Sequence, residues 1–257
     1  IEIYEQGDTD DGTAYMVMEY LQGRALADII SQGAIETSRC VGLMIQLARG
    51  IARAHDLEVI HRDLKPENVF LCRREDGGDL IKILDFGIAR SRHDARLTGA
   101  GELFGTPQYM APERIKGEDA GMPADLYALG VVFFEMTTGK LPYDAPDITT
   151  YFIKHLNAPT PHPRQLNASV PEELDDLVVR MMAKDPAGRP VDAHRVEADL
   201  EAIAEKYGYP IPIEPETDPI STMRISAEPL EPRDPWSRRM SVCEEMLTRA
   251  FGAPASA

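Results

Sequence analysis

Apolar side chains divide the 257-residue chain into a strand-like opening, a helical body and a proline-rich end. Residues 1–6 alternate weakly, a Gly-Asp-Thr-Asp-Asp-Gly cluster follows, and Ala14-Tyr-Met-Val-Met-Glu-Tyr20 is apolar again. Two short apolar runs around a Gly/Asp cluster predict a β-hairpin. Leu43, Ile45, Leu47, Ile51 and Ala54 then recur near helical spacing, which predicts an amphipathic helix over residues 38–55. Val59-Ile60, Val69-Phe70-Leu71 and Ile81-Lys-Ile-Leu84 are too short for helices and read as short strands. A polar, Gly-rich stretch runs from Asp85 to Pro112. Helical patterns occupy residues 124–138, 147–157, 171–184 and 192–207. The composition changes near Gly208: the last 50 residues hold eight of the 20 prolines, and residues 208–235 read as linker or tail. Met240, Val242, Met246, Leu247 and Phe251 would share one side of a last helix over 237–251, with a frayed terminus as the alternative.

Composition narrows the picture. With 43% hydrophobic and 27% charged residues the chain has the balance of an ordinary globular protein. Forty-three acids against 27 bases give a net charge of −16, which argues against nonspecific binding to nucleic acid or anionic membranes, since both need a positive footprint. Three cysteines (Cys40, Cys72 and Cys243) form no C-x-x-C, so a disulfide framework and a zinc knuckle are not expected and a reducing, cytoplasmic compartment is. No apolar run approaches the roughly 18 residues of a membrane span. The chain opens at Ile1 without methionine, already inside a strand-like run, which suggests the remainder of a longer protein.

The chemistry concentrates in His61-Arg-Asp-Leu-Lys-Pro-Glu-Asn68, followed 17 residues later by Asp85-Phe-Gly87, then Gly105-Thr-Pro-Gln-Tyr-Met-Ala-Pro-Glu113, Asp125 and Arg189. Phosphoryl transfer from ATP asks a protein mainly for charge neutralisation, an orienter for the attacking hydroxyl, and in-line geometry. Asp63 can accept the hydroxyl proton, and Lys65 can reach the transferring phosphate as a compact point charge. Asn68 and Asp85 offer the hard oxygen ligands that magnesium prefers.

Those motifs, in that order and spacing, resemble a eukaryotic-like (Hanks-type) serine/threonine protein kinase, with a bacterial flavour around Asp125-Leu-Tyr-Ala-Leu-Gly130 and Leu141-Pro-Tyr143. The resemblance implies an α+β, two-lobe fold, here part of the small-lobe sheet plus the complete helical C-lobe, over residues 1–207. It implies ATP and Mg2+ as cofactors, protein substrates with Ser/Thr acceptors, and a homodimer as a route to autophosphorylation of the activation segment. Position by position, Met18 resembles the gatekeeper behind the adenine, Glu19 and Leu21 the hinge residues whose backbone holds it, and Phe70 the apolar residue beneath it. Asp125 resembles the helix aspartate that braces the catalytic loop, and Glu113 and Arg189 the buried ion pair below it. Thr106 matches the threonine that contacts the catalytic Asp and Lys. Thr98 is the expected phosphosite, for which Arg62, just before Asp63, would provide a partner.

The family's Gly-rich loop, strand lysine and αC helix find no counterpart: no G-x-G precedes His61, and the first 64 residues contain no lysine. An N-terminally incomplete kinase and a catalytically impaired pseudokinase or scaffold both accommodate this, and the intact Asp63, Asn68 and Asp85 favour the former. Plainer readings cover the remaining residues. The six histidines lack ligand spacing, with His61 a packing and hydrogen-bonding residue. Met16, Met44, Met136, Met181 and Met182 read as core fillers. Glu172, Glu173, Asp175 and Asp176 read as charges favouring a helix N-terminus.

Overall fold

A computed structural model describes residues 1–213, apart from residues 2, 10, 12, 75, 76, 87–105 and 119. The predicted helix 237–251 and residues 214–236 lie outside the described residues.

The opening is the expected hairpin: β1 (Ile3–Asp8) pairs antiparallel with β2 (Ala14–Met18), in regular register from Glu5↔Val17 to Asp8↔Ala14, with a shift between Glu5 and Ile3, which faces Met18. Thr9 closes its turn, its amide donating to the Thr13 carbonyl at 2.9 Å. Neither face of its second strand is fully covered: Met16, expected as a core filler, is 41% exposed, and its neighbour Val17, on the opposite face, 45%. A second sheet runs β3 (Gly23–Ala25), β4 (Val69–Arg73) and β5 (Asp79–Ile83), antiparallel in the order β3-β4-β5. Val59-Ile60 forms no strand and Leu84 lies just past β5.

Helices make the rest. α1 (Leu26–Ile30) is short and absent from the sequence reading, because its five residues cannot show a period. α2 (Thr37–Asp56) buries Leu43, Met44, Leu47, Ala48 and Ile51 on one face. Its N-terminus is capped by Glu36, whose carboxylate accepts from the Ser38 and Arg39 amides at 3.0 and 2.9 Å and is thereby held below its usual pKa. α3 (Pro112–Ile115) is a single turn. α4 (Met122–Thr138) is buried on nearly every side, from Ala124 to Phe134, as expected of a helix that is apolar all round. It ends at Gly139, left-handed at φ 69°, where a Cβ would lie 2.7 Å from the Ala34 amide nitrogen. α5 (Ile148–Asn157), α6 (Glu172–Met181) and α7 (Ala193–Tyr207) follow. Asp147 and Asp192 cap α5 and α7 through the Thr150 and Arg195 amides at 2.8 and 2.7 Å. Arg49 on α2 joins α7 by bonds to Glu197 and Glu201 at 2.7 and 2.8 Å. The architecture is therefore α+β: a two-stranded hairpin, and a three-stranded sheet packed on α1 and α2 of a helical body that includes the buried α4.

The acids that open α6 do more than favour its N-terminus. Asp175 is buried and accepts from the Arg164 amide at 2.8 Å, with His162 Nδ1 2.6 Å away. Glu173 bonds Lys206 and Tyr207 on α7, which lowers its pKa to about 2.

His155 on α5 is fully buried, 2.7 Å from the Tyr127 hydroxyl through Nδ1 and edge-on to the Tyr143 ring. Burial, aided by the nearby Lys184 ammonium, pushes the imidazole down to about 4. The unfolded chain therefore takes up this proton first as pH falls. The contribution to stability is complete above about pH 6.5 and is lost toward pH 4. Between about pH 7 and 5 the wild type should lose about 2 kcal/mol more than His155→Gln in urea unfolding. Parallel losses would mean that His155 titrates normally.

Candidate active site

The segment 61–68 crosses from α2 to β4 and is held by one carboxylate. Asp125, in the buried first turn of α4, accepts from the His61 amide on Oδ2 and from the Arg62 amide on Oδ1, both at 2.8 Å. His55 Nε2 lies 3.0 Å from Oδ2. Arg62 adopts φ 68°, a conformation that costs a non-glycine residue about 1 kcal/mol or more, and the two amides aimed at Asp125 keep it there. Arg114 Nη1 donates to the Arg62 carbonyl. Asp63 N–H donates to His61 Nδ1 at 3.3 Å, so His61 Nε2 carries the proton and donates to the Leu84 carbonyl at 2.9 Å. Burial lowers the His61 pKa, and the ring stays neutral and structural, stacked at a tilt 4.9 Å from Phe86.

Around this frame the reactive groups converge. Lys65 Nζ lies 3.0 Å from Asp63 Oδ2 and donates to Thr106 Oγ1, also at 3.0 Å. These side chains remain partly exposed, as groups that meet a substrate must. Pro66–Asn68 form a 3-10 turn whose first residue, proline, lacks a donor that the turn would leave unused. The turn points Asn68 Nδ2 at the Asp63 carbonyl, 2.8 Å away, which leaves Asn68 Oδ1 for a cation. The Leu84 amide donates to the Asn68 carbonyl at 2.8 Å, so the next residue, Asp85, is tethered beside Asn68. Asp85 is exposed and held at φ 52°. Among the described residues no three His, Cys, Asp or Glu side chains gather as a metal cluster. One carboxylate and one amide oxygen, completed by phosphates and water, suit Mg2+ rather than a zinc-type ion.

On the other side of the cleft, Met18 ends β2 and is 40% exposed, and Leu21 is half-buried. Phe70, half-buried on β4, is paired with Ala25 and Lys82. Glu19 is bound by Lys82 Nζ at 3.0 and 3.2 Å to its two oxygens. Below the site, Arg189 Nη1 and Nη2 meet Glu113 Oε1 and Oε2 at 2.7 and 2.8 Å, with both residues buried. Thr98 lies outside the described residues.

His55, Arg114 and Lys82 escaped the sequence reading. His55 sits 70 residues from Asp125, and nothing in α2's periodicity separates it from other buried positions. Lys82 did carry a signal, a charge in the middle of an apolar strand.

A protein family and several curated relatives match this chain. The model of the family described as "Protein kinase domain" matches residues 1–199. Serine/threonine-protein kinase PrkC of Bacillus subtilis is 36% identical over 202 residues, covering 78% of this chain and 30% of the relative. Serine/threonine-protein kinase pkn3 of Myxococcus xanthus is 37% identical over 210 residues, covering 79% of this chain and 38% of the relative. Serine/threonine-protein kinase PknL of Mycobacterium tuberculosis is 34% identical over 211 residues, covering 82% and 52%. The chain thus spans between 30% and 52% of the length of these relatives.

Proposed function

Because this chain belongs to the protein kinase family, we propose that it transfers the γ-phosphoryl group of ATP to serine or threonine hydroxyls of proteins. The observation that carries this reading is the convergence of Lys65 on both Asp63 and Thr106 at 3.0 Å, beside Asn68 and Asp85. In the reaction a bond forms between the acceptor oxygen and Pγ, the bond from Pγ to the β–γ bridging oxygen breaks, and ADP leaves. Asp63 orients the hydroxyl and takes its proton. Lys65 stabilises the charge on the moving phosphoryl group, and Thr106 holds Lys65 in place. Asn68 Oδ1 and Asp85 would hold Mg2+, which would neutralise charge on the phosphates. Met18, the backbone of Glu19 and Leu21, and Phe70 surround the adenine. Glu113, Arg189, Asp125 and Arg62 support the loop rather than touch the nucleotide, and Thr98 is the site where phosphate would pair with Arg62.

Residues 1–207 make up the kinase unit and 208–257 its tail. No helix among the described residues is long and apolar enough to cross a membrane. The described cysteines, Cys40 and Cys72, are free thiols, which supports a cytoplasmic setting. Protein substrates, and a second copy of this chain for autophosphorylation, are the partners this reading implies.

Incubation of the longest natural form with γ-labelled ATP, Mg2+ and a general protein acceptor should label serine and threonine, with no signal on tyrosine, whereas the 257-residue chain alone, without a Gly-rich loop and strand lysine to clamp the phosphates, should transfer little or nothing. ATP binding without any transfer, by this chain and by the longest natural form alike, would replace the reading with a nucleotide-binding scaffold.

A further inference from the structure

The hinge glutamate and the metal-binding strand are joined by an ion pair that the reaction itself does not call for. Lys82 is the fourth residue of β5, three positions before Asp85. Its register partner on β4 is Phe70, so the two side chains share the sheet face expected to meet the adenine. From that face Lys82 Nζ reaches both carboxylate oxygens of Glu19, at 3.0 and 3.2 Å. The pair is partly sheltered, with side chains 27% and 19% exposed. Glu19 immediately follows β2, which among the described residues pairs with β1 alone. Beyond Lys82 the chain is fixed: Ile83 is buried, the Leu84 amide is bonded to Asn68, and the Leu84 carbonyl is bonded to His61.

We propose that the Lys82–Glu19 pair is a positioning device that sets the distance between the adenine-binding segment and the metal-binding Asp85. The inference rests on the nucleotide reading above. A nucleotide spans both ends, so holding them in register before binding reduces the ordering cost of binding. Lys82 is a positioning residue and touches neither the transferred phosphate nor the acceptor.

The test is a charge-reversal cycle in the full chain, with mant-ATP and Mg2+ as the probe. Lys82→Glu should weaken binding about fivefold to tenfold, and the double variant Glu19→Lys/Lys82→Glu should return it to within about twofold of wild type. Lys82→Arg should bind about as well as wild type. Hydrogen exchange at residues 17–22 should quicken in Lys82→Glu and recover in the swap. Wild type that binds, with Lys82→Glu binding equally well, would overturn the positioning role while leaving the kinase reading intact. Wild type that binds no mant-ATP would overturn this inference, while the kinase reading stands or falls by phosphoryl transfer in the longest natural form. A loss in Lys82→Glu that the swap does not recover would show that the pair as such is not what matters.

Discussion

Asp63→Ala should reduce phosphoryl transfer by about 10³-fold or more while changing Mg2+·ATP affinity by no more than about twofold. The split follows from where the carboxylate sits. Asp63 Oδ2 is 3.0 Å from Lys65 Nζ and open to the cleft, and the described structure places no adenine-side residue against it. The part of Asp63 that shapes the metal site is its backbone carbonyl, which accepts from Asn68 Nδ2 and survives the substitution. In the proposed role the side chain acts only when a hydroxyl must be oriented and deprotonated, so the loss belongs in kcat and not in nucleotide binding. Single-turnover transfer and nucleotide titration, measured on the same preparation, separate the two. Equal activity in wild type and variant would remove Asp63 from its role. An equal loss of ATP affinity would instead mean that the substitution had collapsed the loop.

Arg189→Ala should destabilise the fold by about 3–5 kcal/mol, a drop in Tm of about 10 °C for a domain of this size. The Arg189 side chain has no exposed surface and Glu113 only 6%. The guanidinium donates to both Glu113 oxygens, to the Pro123 carbonyl at 2.7 Å and to the Ala183 carbonyl at 3.0 Å, and it lies 5.0 Å from the Tyr127 ring centroid. Truncation leaves a carboxylate and two carbonyls buried without their donor, which costs far more than the pair itself contributes. The double variant Glu113→Leu/Arg189→Met should therefore recover most of the loss, whereas Arg189→Lys should recover little, because an ammonium cannot make the forked contact. Calorimetry on the four proteins decides this. A loss below about 1 kcal/mol for Arg189→Ala would mean that water replaces the guanidinium. Glu113 lies in α3, a few residues after Thr106, so activity should fall along with stability.

Much of the fold was legible because it rests on local periodicity and caps. The hairpin, α2, α4, α5, α6 and α7 lie within a few residues of where the apolar pattern puts them, and Asp147, Asp192, Gly139 and Gly208 mark their ends as capping chemistry requires. What failed was short or nonperiodic. α1 and α3 hold five and four residues, too few to show a repeat, and Val59-Ile60 is apolar without being paired. Met16 is as apolar as Met44, yet one is 41% exposed and the other fully buried, because burial depends on what covers a face and not on the residue that presents it.

The sequence alone determined the chemistry of the candidate site: a carboxylate, an ammonium, an amide and a second carboxylate in fixed order and spacing. A short peptide carries these residue types in fixed order, so the motif is readable without coordinates. Tertiary structure alone decided what holds them. Asp125 reaches the amides of residues 61 and 62 from more than 60 positions away, Arg189 reaches Glu113 across 76, and Lys82 reaches Glu19 across 63. Such contacts are made when helices and strands remote in the chain are packed together to bury their apolar faces. The hydrogen bonds and ion pairs that set the reactive groups are by-products of that packing, and no local pattern records them.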